Sequence, residues 1–424
     1  GRQSLHPVQP EKSTPVILDL RMAWRNLWRH SRRTWLTATA MIFSNVLLVF
    51  MISLQFGSYD MMINNTLQAF SGHIQVQHPG YNENPKIRDS VPAILALEEE
   101  LAQTLPDARM AARAAGFALA SSERRSFGIQ VIGVQPALEP GVSTIPGLVS
   151  EGRFLNDMMA PEIVIGAVMA RNLRVSIGDE LTLLGSGRDG SFAAGVVSVV
   201  GIFETGSSDM DRSFAEVPLG YFQETFFMGD HGHSVVIAVD NLDQVATGVT
   251  RVRSALGERD GLAVLDWDAL QPGLKQAIQA DLSSAWFMYG VLIILVAFSV
   301  LNTQLMSVLE RTREFGVITA LGIKPGKLAF LVMLETALMA LIGLAIGLFL
   351  GWLVALYFNT VGFSYPGMEE MADRFNLPGK IYPSVTPFSM VLGPLVVFVF
   401  CLLASIYPAL RLFRLQPVEA MRAV

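Results

Sequence analysis

One cysteine, Cys401, serves the entire chain of 424 residues. A disulfide within the chain and a thiolate metal cluster are both excluded. Charge is the second scarcity. Only 16% of residues are Asp, Glu, Lys or Arg, against about a quarter in ordinary globular chains. The net charge is −6, so no nucleic-acid partner is expected. There is no Ser-His-Asp pattern and no His-Glu-x-x-His. His231 and His233 flank Gly232 beside Asp230, and Asp209 and Asp211 lie in a Gly/Ser-rich loop, but neither set has further ligands at metal spacing. Gly322–Lys327 (GIKPGK) is a poor nucleotide loop, because it lacks the G-x4-G-K-[ST] spacing and the hydroxyl after the lysine. The expectation is a chain with no catalytic, cofactor or metal site of its own.

Apolar sequence, by contrast, is abundant: 51% of residues are hydrophobic. It gathers into spans at 35–56, 285–306, 328–358 and 388–410. A span of about 22 residues rising ~1.5 Å each covers roughly 33 Å, enough for the hydrocarbon core of a bilayer. Residues 1–18 lack the apolar core of a secretory signal and are set aside as a flexible tail or a cloning remnant. Segment 19–34 repeats arginine every four residues (Arg21, Arg25, Arg29, Arg33), with Leu20, Trp24, Leu27 and Trp28 on another face. That pattern predicts an amphipathic helix lying in a membrane interface. Its arginine excess marks that side as cytoplasmic.

The region 57–281 contains no run long enough to span a membrane. His73–Gln77 and Phe127–Val134 read as strands, with a helix at Ala93–Leu105 between them. A second β-α-β pattern follows at Ser234–Val239, Leu242–Leu256 and Leu262–Leu265. Two split β-α-β units predict a ferredoxin-like subdomain. It is interrupted by a mostly-β module at about 147–232, with strands at Glu162–Ile165, Glu180–Leu184, Ala194–Phe203 and Ala215–Leu219. The predicted fold class is thus an α-helical membrane protein with four transmembrane helices and a large α+β extracytoplasmic domain. The loop 359–387 carries Glu369, Glu370 and Asp373 against Arg374 and Lys380, and the tail 411–424 carries Arg411, Arg414 and Arg422. The charge rule places the loop outside and the tail inside.

Candidate residues fall into four groups. Segment 307–322 is a charged helix-forming stretch between two spans, with Glu310, Arg311, Arg313 and Glu314 followed by Phe315, Ile318 and Leu321. It reads as a coupling helix that takes force from a soluble engine. A solvated loop helix would carry the same charges. Gly343, Gly347 and Gly351 form a small-residue stripe that lets another helix approach, within the subunit or across a dimer. Asn45, Asn302 and Glu335 are polar groups within spans; Asn45 reads as helix–helix glue, and Glu335 as bonded to Asn302, Thr303 or Gln304. Val46, Val49, Phe50, Ile52 and Leu54 of the first span, with Phe287, Val291, Leu295 and Phe298 of the second, are candidates for an apolar cargo path. Ordinary packing or lipid contact would use the same residue types.

Ala23–Thr37 (AWRNLWRHSRRTWLT), Glu310–Gly322 (ERTREFGVITALG) and Tyr407–Arg422 (YPALRLFRLQPVEAMR) resemble, in that order, segments of the FtsX/MacB/lipoprotein-releasing permeases of ABC transporters, the type VII class. Glu151–Asp157, Val164–Leu183 and Val199–Asp211 are similar to the MacB-type periplasmic core. The resemblance implies four spans in a bacterial inner membrane, a second identical or homologous permease, and separate ATPase subunits that hold ATP and Mg²⁺. It also implies mechanotransmission, in which closure of the ATPases moves the outer domains. The expected cargo is lipoprotein or another lipophilic molecule drawn from the outer leaflet. The alternatives are MacB-like export of peptides or amphiphilic small molecules through a periplasmic adaptor, and a regulatory complex acting on a periplasmic enzyme.

Overall fold

The structure is a computed structural model that describes residues 15–29, 31–257, 259–368 and 379–414. The acidic loop residues Glu369, Glu370, Asp373 and Arg374, the segment before residue 15, and the carboxyl-terminal signature beyond Arg414 lie outside the described residues. The chain divides into two compact units, one of residues 1–58, 280–363 and 381–424, the other of 59–279 and 364–380.

In the first unit, four helices are long and apolar enough to cross a membrane. They are parts of Ser31–Thr66, Pro272–Glu310, Pro325–Val361 and Pro387–Arg411, here called the first to fourth spans. Each helix exceeds the apolar run read from the sequence, since helical hydrogen bonding continues past the last apolar residue. The interfacial helix Pro15–Arg29 turns Ala23 and Leu27 inward and leaves Leu20, Trp24 and Trp28 exposed beside the arginines. Trp24, Trp28 and Trp35 form a chain of edge-on rings with centroids 5.9 and 6.1 Å apart. The second span buries Ala285, Tyr289, Ile293, Val296, Val300, Gln304 and Val308, spaced three or four apart on one face.

The glycine stripe packs inside the subunit. A Cβ added at Gly343, Gly347 or Gly351 would stand 2.8, 2.5 or 2.9 Å from the Cβ of Met41, Asn45 or Val49 on the first span. Only hydrogen fits there, and the two backbones close up accordingly. Asn45 Nδ2 donates to the Gly343 carbonyl oxygen at 3.2 Å, the glue role read from its place in the span. Fourth-span Gly393 lies against Leu48 and Ile52 in the same way.

The second unit is built on a single 10-stranded sheet with the path β10-β1-β9-β2-β3-β8-β5-β7-β4, and β6 pairs with β2 and β7. Strands β1 (Ile74–Gln77), β2 (Arg109–Ser121), β9 (Ser234–Ala238) and β10 (Ala263–Asp266) pair antiparallel in the order β10-β1-β9-β2. That is the fourth-first-third-second order of a split β-α-β fold. Helix Ile94–Thr104 joins the core through Ile94, Leu97 and Leu101, and helix Asp243–Leu256 through Val245, Val249, Val252 and Leu256. The expected second strand, Phe127–Val134, proves to be β3 (Ser126–Val134), which pairs with β2 as a hairpin. The inserted strands therefore begin near residue 126 and not at 147. Among them are β5 (Glu162–Gly166), β6 (Glu180–Ser186), β7 (Phe192–Phe203) and β8 (Phe214–Pro218).

Strand β2 escapes sequence reading because RMAARAAGFALAS is rich in alanine and arginine, both good helix formers. Tertiary packing overrides that preference. Ala111, Ala112, Ala114, Ala118 and Ala120 are all buried. The small side chains leave room for Phe222, whose ring stands 3.3 Å from where a Gly116 Cβ would be.

Candidate functional site

The coupling segment folds as a helix, Thr312–Ala320, set off from the second span by Arg311 at φ −97°, ψ 9°. That kink lets Arg311 reach back into the bundle. Its Nη1 donates to both oxygens of Glu335 at 3.1 Å, and Asn26 Nδ2 of the interfacial helix donates to Glu335 Oε1 at 2.7 Å. The Arg311 guanidinium also lies 4.9 Å from the Phe315 ring centroid, and its Nε is 3.5 Å from Glu314 Oε2. Glu314 in turn accepts from Arg29 Nη2 at 3.0 Å. One cluster therefore ties three elements together: interfacial helix, coupling helix and third span. The side chains of Arg311 and Glu335 are only 11% and 7% exposed, while Arg29 and Glu314 are 62% and 42% exposed. The inner pair is desolvated and hard to break; the outer pair is screened and weak.

This placement departs from the sequence expectation in two respects. Arg311 and Phe315 face the bundle and not a partner: Phe315 is buried against Val308, Leu328, Val332 and Leu412, with Ile318 packed beside it. Arg313, Val317 and Leu321 are the exposed residues of the segment, Leu321 at 80%, and Glu310 is exposed at the end of the second span. Glu335 takes its partners from Asn26 and Arg311 and not from Asn302, Thr303 or Gln304. Thr303 and Gln304 line the same small hollow, and Asn302 is exposed. Asn26 and Arg29 were not singled out from the sequence. They sit in a run of basic and aromatic residues whose amphipathic pattern accounts for them equally well.

The candidate path residues also divide. Val49 and Ile52 are buried against the third and fourth spans, because Gly351 and Gly393 face them. Val46, Phe50 and Leu54 are half-buried. Phe287, Val291, Leu295 and Phe298 are exposed at 77%, 44%, 64% and 61% and form one apolar face of the second span.

In the second unit, His233 is buried. Its Nδ1 accepts from the Ala115 N–H at 2.9 Å, so the neutral ring carries its proton on Nε2 and donates to the Ile87 carbonyl at 3.2 Å. Burial pushes its pKa down to about 4. His231 bonds Ser90 instead, so the two histidines do not converge. Asp211 accepts from the Thr205 N–H and hydroxyl and closes its own loop. A buried ion pair that sequence reading missed, Arg113 with Glu139, lies beside Glu216. Burial first, and the Glu139 charge second, raise the pKa of Glu216 well above the usual carboxylate range. Among the described residues, no three His, Cys, Asp or Glu side chains are grouped to hold a metal.

Comparisons with known proteins match both units. The family model described as FtsX-like permease C-terminal matches residues 286–417. That of the MacB-like periplasmic core domain matches residues 34–255, just over half of the chain. The chain is 23% identical over 314 residues to a lipoprotein-releasing system transmembrane protein LolC of Neisseria meningitidis serogroup B, covering 70% of this chain and 73% of that protein. It is 24% identical over 425 residues to a macrolide export ATP-binding/permease protein MacB of Sodalis glossinidius, covering 95% and 60%. The crystal structure of the periplasmic region of MacB from Actinobacillus actinomycetemcomitans aligns with 49% of this chain and 94% of that one, at a TM-score of 0.36 and 12% identity.

Proposed function

Because the chain belongs to the FtsX-like, MacB-like family of ABC transporter permeases, we propose that it transmits the motion of a partner ATPase to the outer side of a bacterial inner membrane, where it extracts lipoprotein or another lipophilic cargo. The observation that carries this reading is the buried junction of Asn26, Arg311 and Glu335. A helix tied to its own bundle by a desolvated, bidentate ion pair cannot swing alone. A push on its outer face moves the third span and the interfacial helix with it. The ATPase, which holds ATP and Mg²⁺, docks on Arg313, Val317 and Leu321. A second permease, identical or homologous, completes the assembly.

The exposed face of Phe287, Val291, Leu295 and Phe298 supports an apolar cargo, because acyl chains need a continuous non-polar surface on which to leave the bilayer. A second reading, export of peptides or amphiphilic small molecules with a periplasmic adaptor, is favoured by the alignment to the macrolide export protein over 95% of this chain. The deciding experiment is reconstitution in nanodiscs with the ATPase, followed by mass spectrometry of bound and released molecules. Acylated protein released on addition of ATP is the expected result. A complex that never carries acylated protein, and whose ATPase responds to a soluble peptide or drug instead, would overturn extraction in favour of export.

A further inference from the structure

The soluble unit contains a cavity that the coupling reading does not draw on. It measures about 260 Å³ and lies beside β1 and β2. Phe70, Phe214, Ile132 and Leu270 make its wall largely apolar. Two polar side chains on its lining have no protein partner for one atom each: Ser71 Oγ and Gln77 Nε2. Their residues are only 6% and 1% exposed. Buried donors are normally paired, so two orphans on one hollow mark a place for an acceptor. The neighbouring buried groups are satisfied. Arg113 is held by Glu139 and by the Phe70 carbonyl oxygen, and His233 by Ala115 and Ile87. With Arg113 neutralised by Glu139, the wall offers a ligand no unbalanced charge. A second hollow of about 400 Å³ shares Phe70, Ser71, Phe214 and Gln271 with the first, and Asn65, whose Nδ2 is also unpaired, lines it.

We propose that this cavity is a binding site for a neutral amphiphile bearing an amide or ester carbonyl. The carbonyl oxygen accepts from Gln77 Nε2 and Ser71 Oγ, and the alkyl part lies along Phe70 and Phe214 toward the second hollow. An apolar cavity of roughly 150 Å³ accommodates benzene, so the first hollow takes a ligand of about ten non-hydrogen atoms. The site lies wholly in the soluble unit, so it stands or falls independently of which cargo crosses the membrane unit.

The test uses the full chain in nanodiscs and an eight-carbon primary amide carrying a diazirine in its chain. Photolabelled peptides are mapped by mass spectrometry. Label is expected at Phe70, Ser71 or Phe214, displaced by unlabelled octanamide and at least about tenfold less well by octanoate, since a carboxylate has no unbalanced cation to meet. Ser71→Ala and Gln77→Leu should each lower this labelling by about fivefold, the loss of one hydrogen bond. Phe214→Trp, which fills the hollow, should abolish it and covers the case in which Gln77→Leu fails to fold. Label confined to the membrane helices, equal competition by octanoate, or labelling unchanged in Ser71→Ala and Phe214→Trp would each overturn the assignment and leave a cavity filled by ordered water only.

Discussion

Removing one member of the Arg311–Glu335 pair tests the junction most directly. Both side chains are almost wholly out of water, so the survivor is left as a buried, under-compensated charge. Truncation of such a pair costs about 3–5 kcal/mol. Glu335→Gln belongs at the low end, because Arg311 keeps Glu314 at 3.5 Å. Arg311→Met belongs higher, because Glu335 then keeps only the Asn26 amide, a neutral donor. The double variant Arg311→Met with Glu335→Leu removes both charges and replaces them with apolar volume, so it should return to within about 1 kcal/mol of the parent. The cycle then gives a coupling energy of about 3 kcal/mol or more. Reversible unfolding in mixed micelles measures the stabilities, and ATP-driven release in nanodiscs measures transmission. The double variant should fold and bind the ATPase yet release little cargo per ATP, since the coupling helix is no longer tied to the third span. Single substitutions costing under about 1 kcal/mol, or a double variant that is additive and fully coupled, would refute both the energetics and the transmission role.

Four further outcomes are expected. Gly347→Leu should separate the first and third spans, because even a Cβ there meets Asn45 Cβ at 2.5 Å; proximity cross-linking between the two spans should fall sharply, and a cost below about 1 kcal/mol in micelle unfolding would contradict the close approach. His233 has a folded-state pKa of about 4 against an ordinary 6.5, so the unfolded chain takes up its proton first as the pH falls. Its contribution, on the order of 3 kcal/mol, should be complete above pH 6.5 and disappear on the way down to pH 4; His233→Gln should flatten that slope, and an unchanged slope would show that the ring titrates normally. Paired Phe287→Ser and Leu295→Ser substitutions should cut release of an acylated cargo by about tenfold, if each lost apolar contact is worth roughly 1 kcal/mol in the loaded state, while ATP hydrolysis continues. For topology, a cysteine at Ser191 should react with an impermeant thiol reagent in intact spheroplasts and one at Ser13 should not, and the opposite pattern would invert the proposed orientation.

What the sequence discloses here depends on how local the determinant is. Spans and inserted strands announce themselves through runs of apolar residues and through alternation, which only neighbouring residues decide. Thus β5 to β8 fall within a residue or two of their expected ends. Strand β2 does not, because its alanines are chosen for the thickness of what covers them, and that cover comes from Phe222, about a hundred residues on. The coupling segment was legible as a charged helix but not in its orientation. Which of Arg311, Arg313 and Glu314 faces inward depends on a carboxylate at position 335 and an amide at position 26, and no window along the chain contains all of them. The glycine stripe announced close packing; only the facing residues Met41, Asn45 and Val49 show that its partner is the first span of the same subunit.

Leu67–Ser71, where the first long helix ends, is a π-turn. Such a turn holds one residue more than an α-helical turn, so it acts as a spacer of one residue written into the chain. It sets the angular position of everything that follows it: the side chains of Phe70 and Ser71 on the cavity wall and the start of β1 at Ile74. Deleting one residue from the turn would restore the shorter α-helical count and turn the outgoing chain by about 100°, carrying the Ser71 hydroxyl off the wall. The length of this segment is therefore constrained more tightly than its composition: a conservative substitution within it leaves the phase intact, while the loss of any one residue, whichever it is, shifts it.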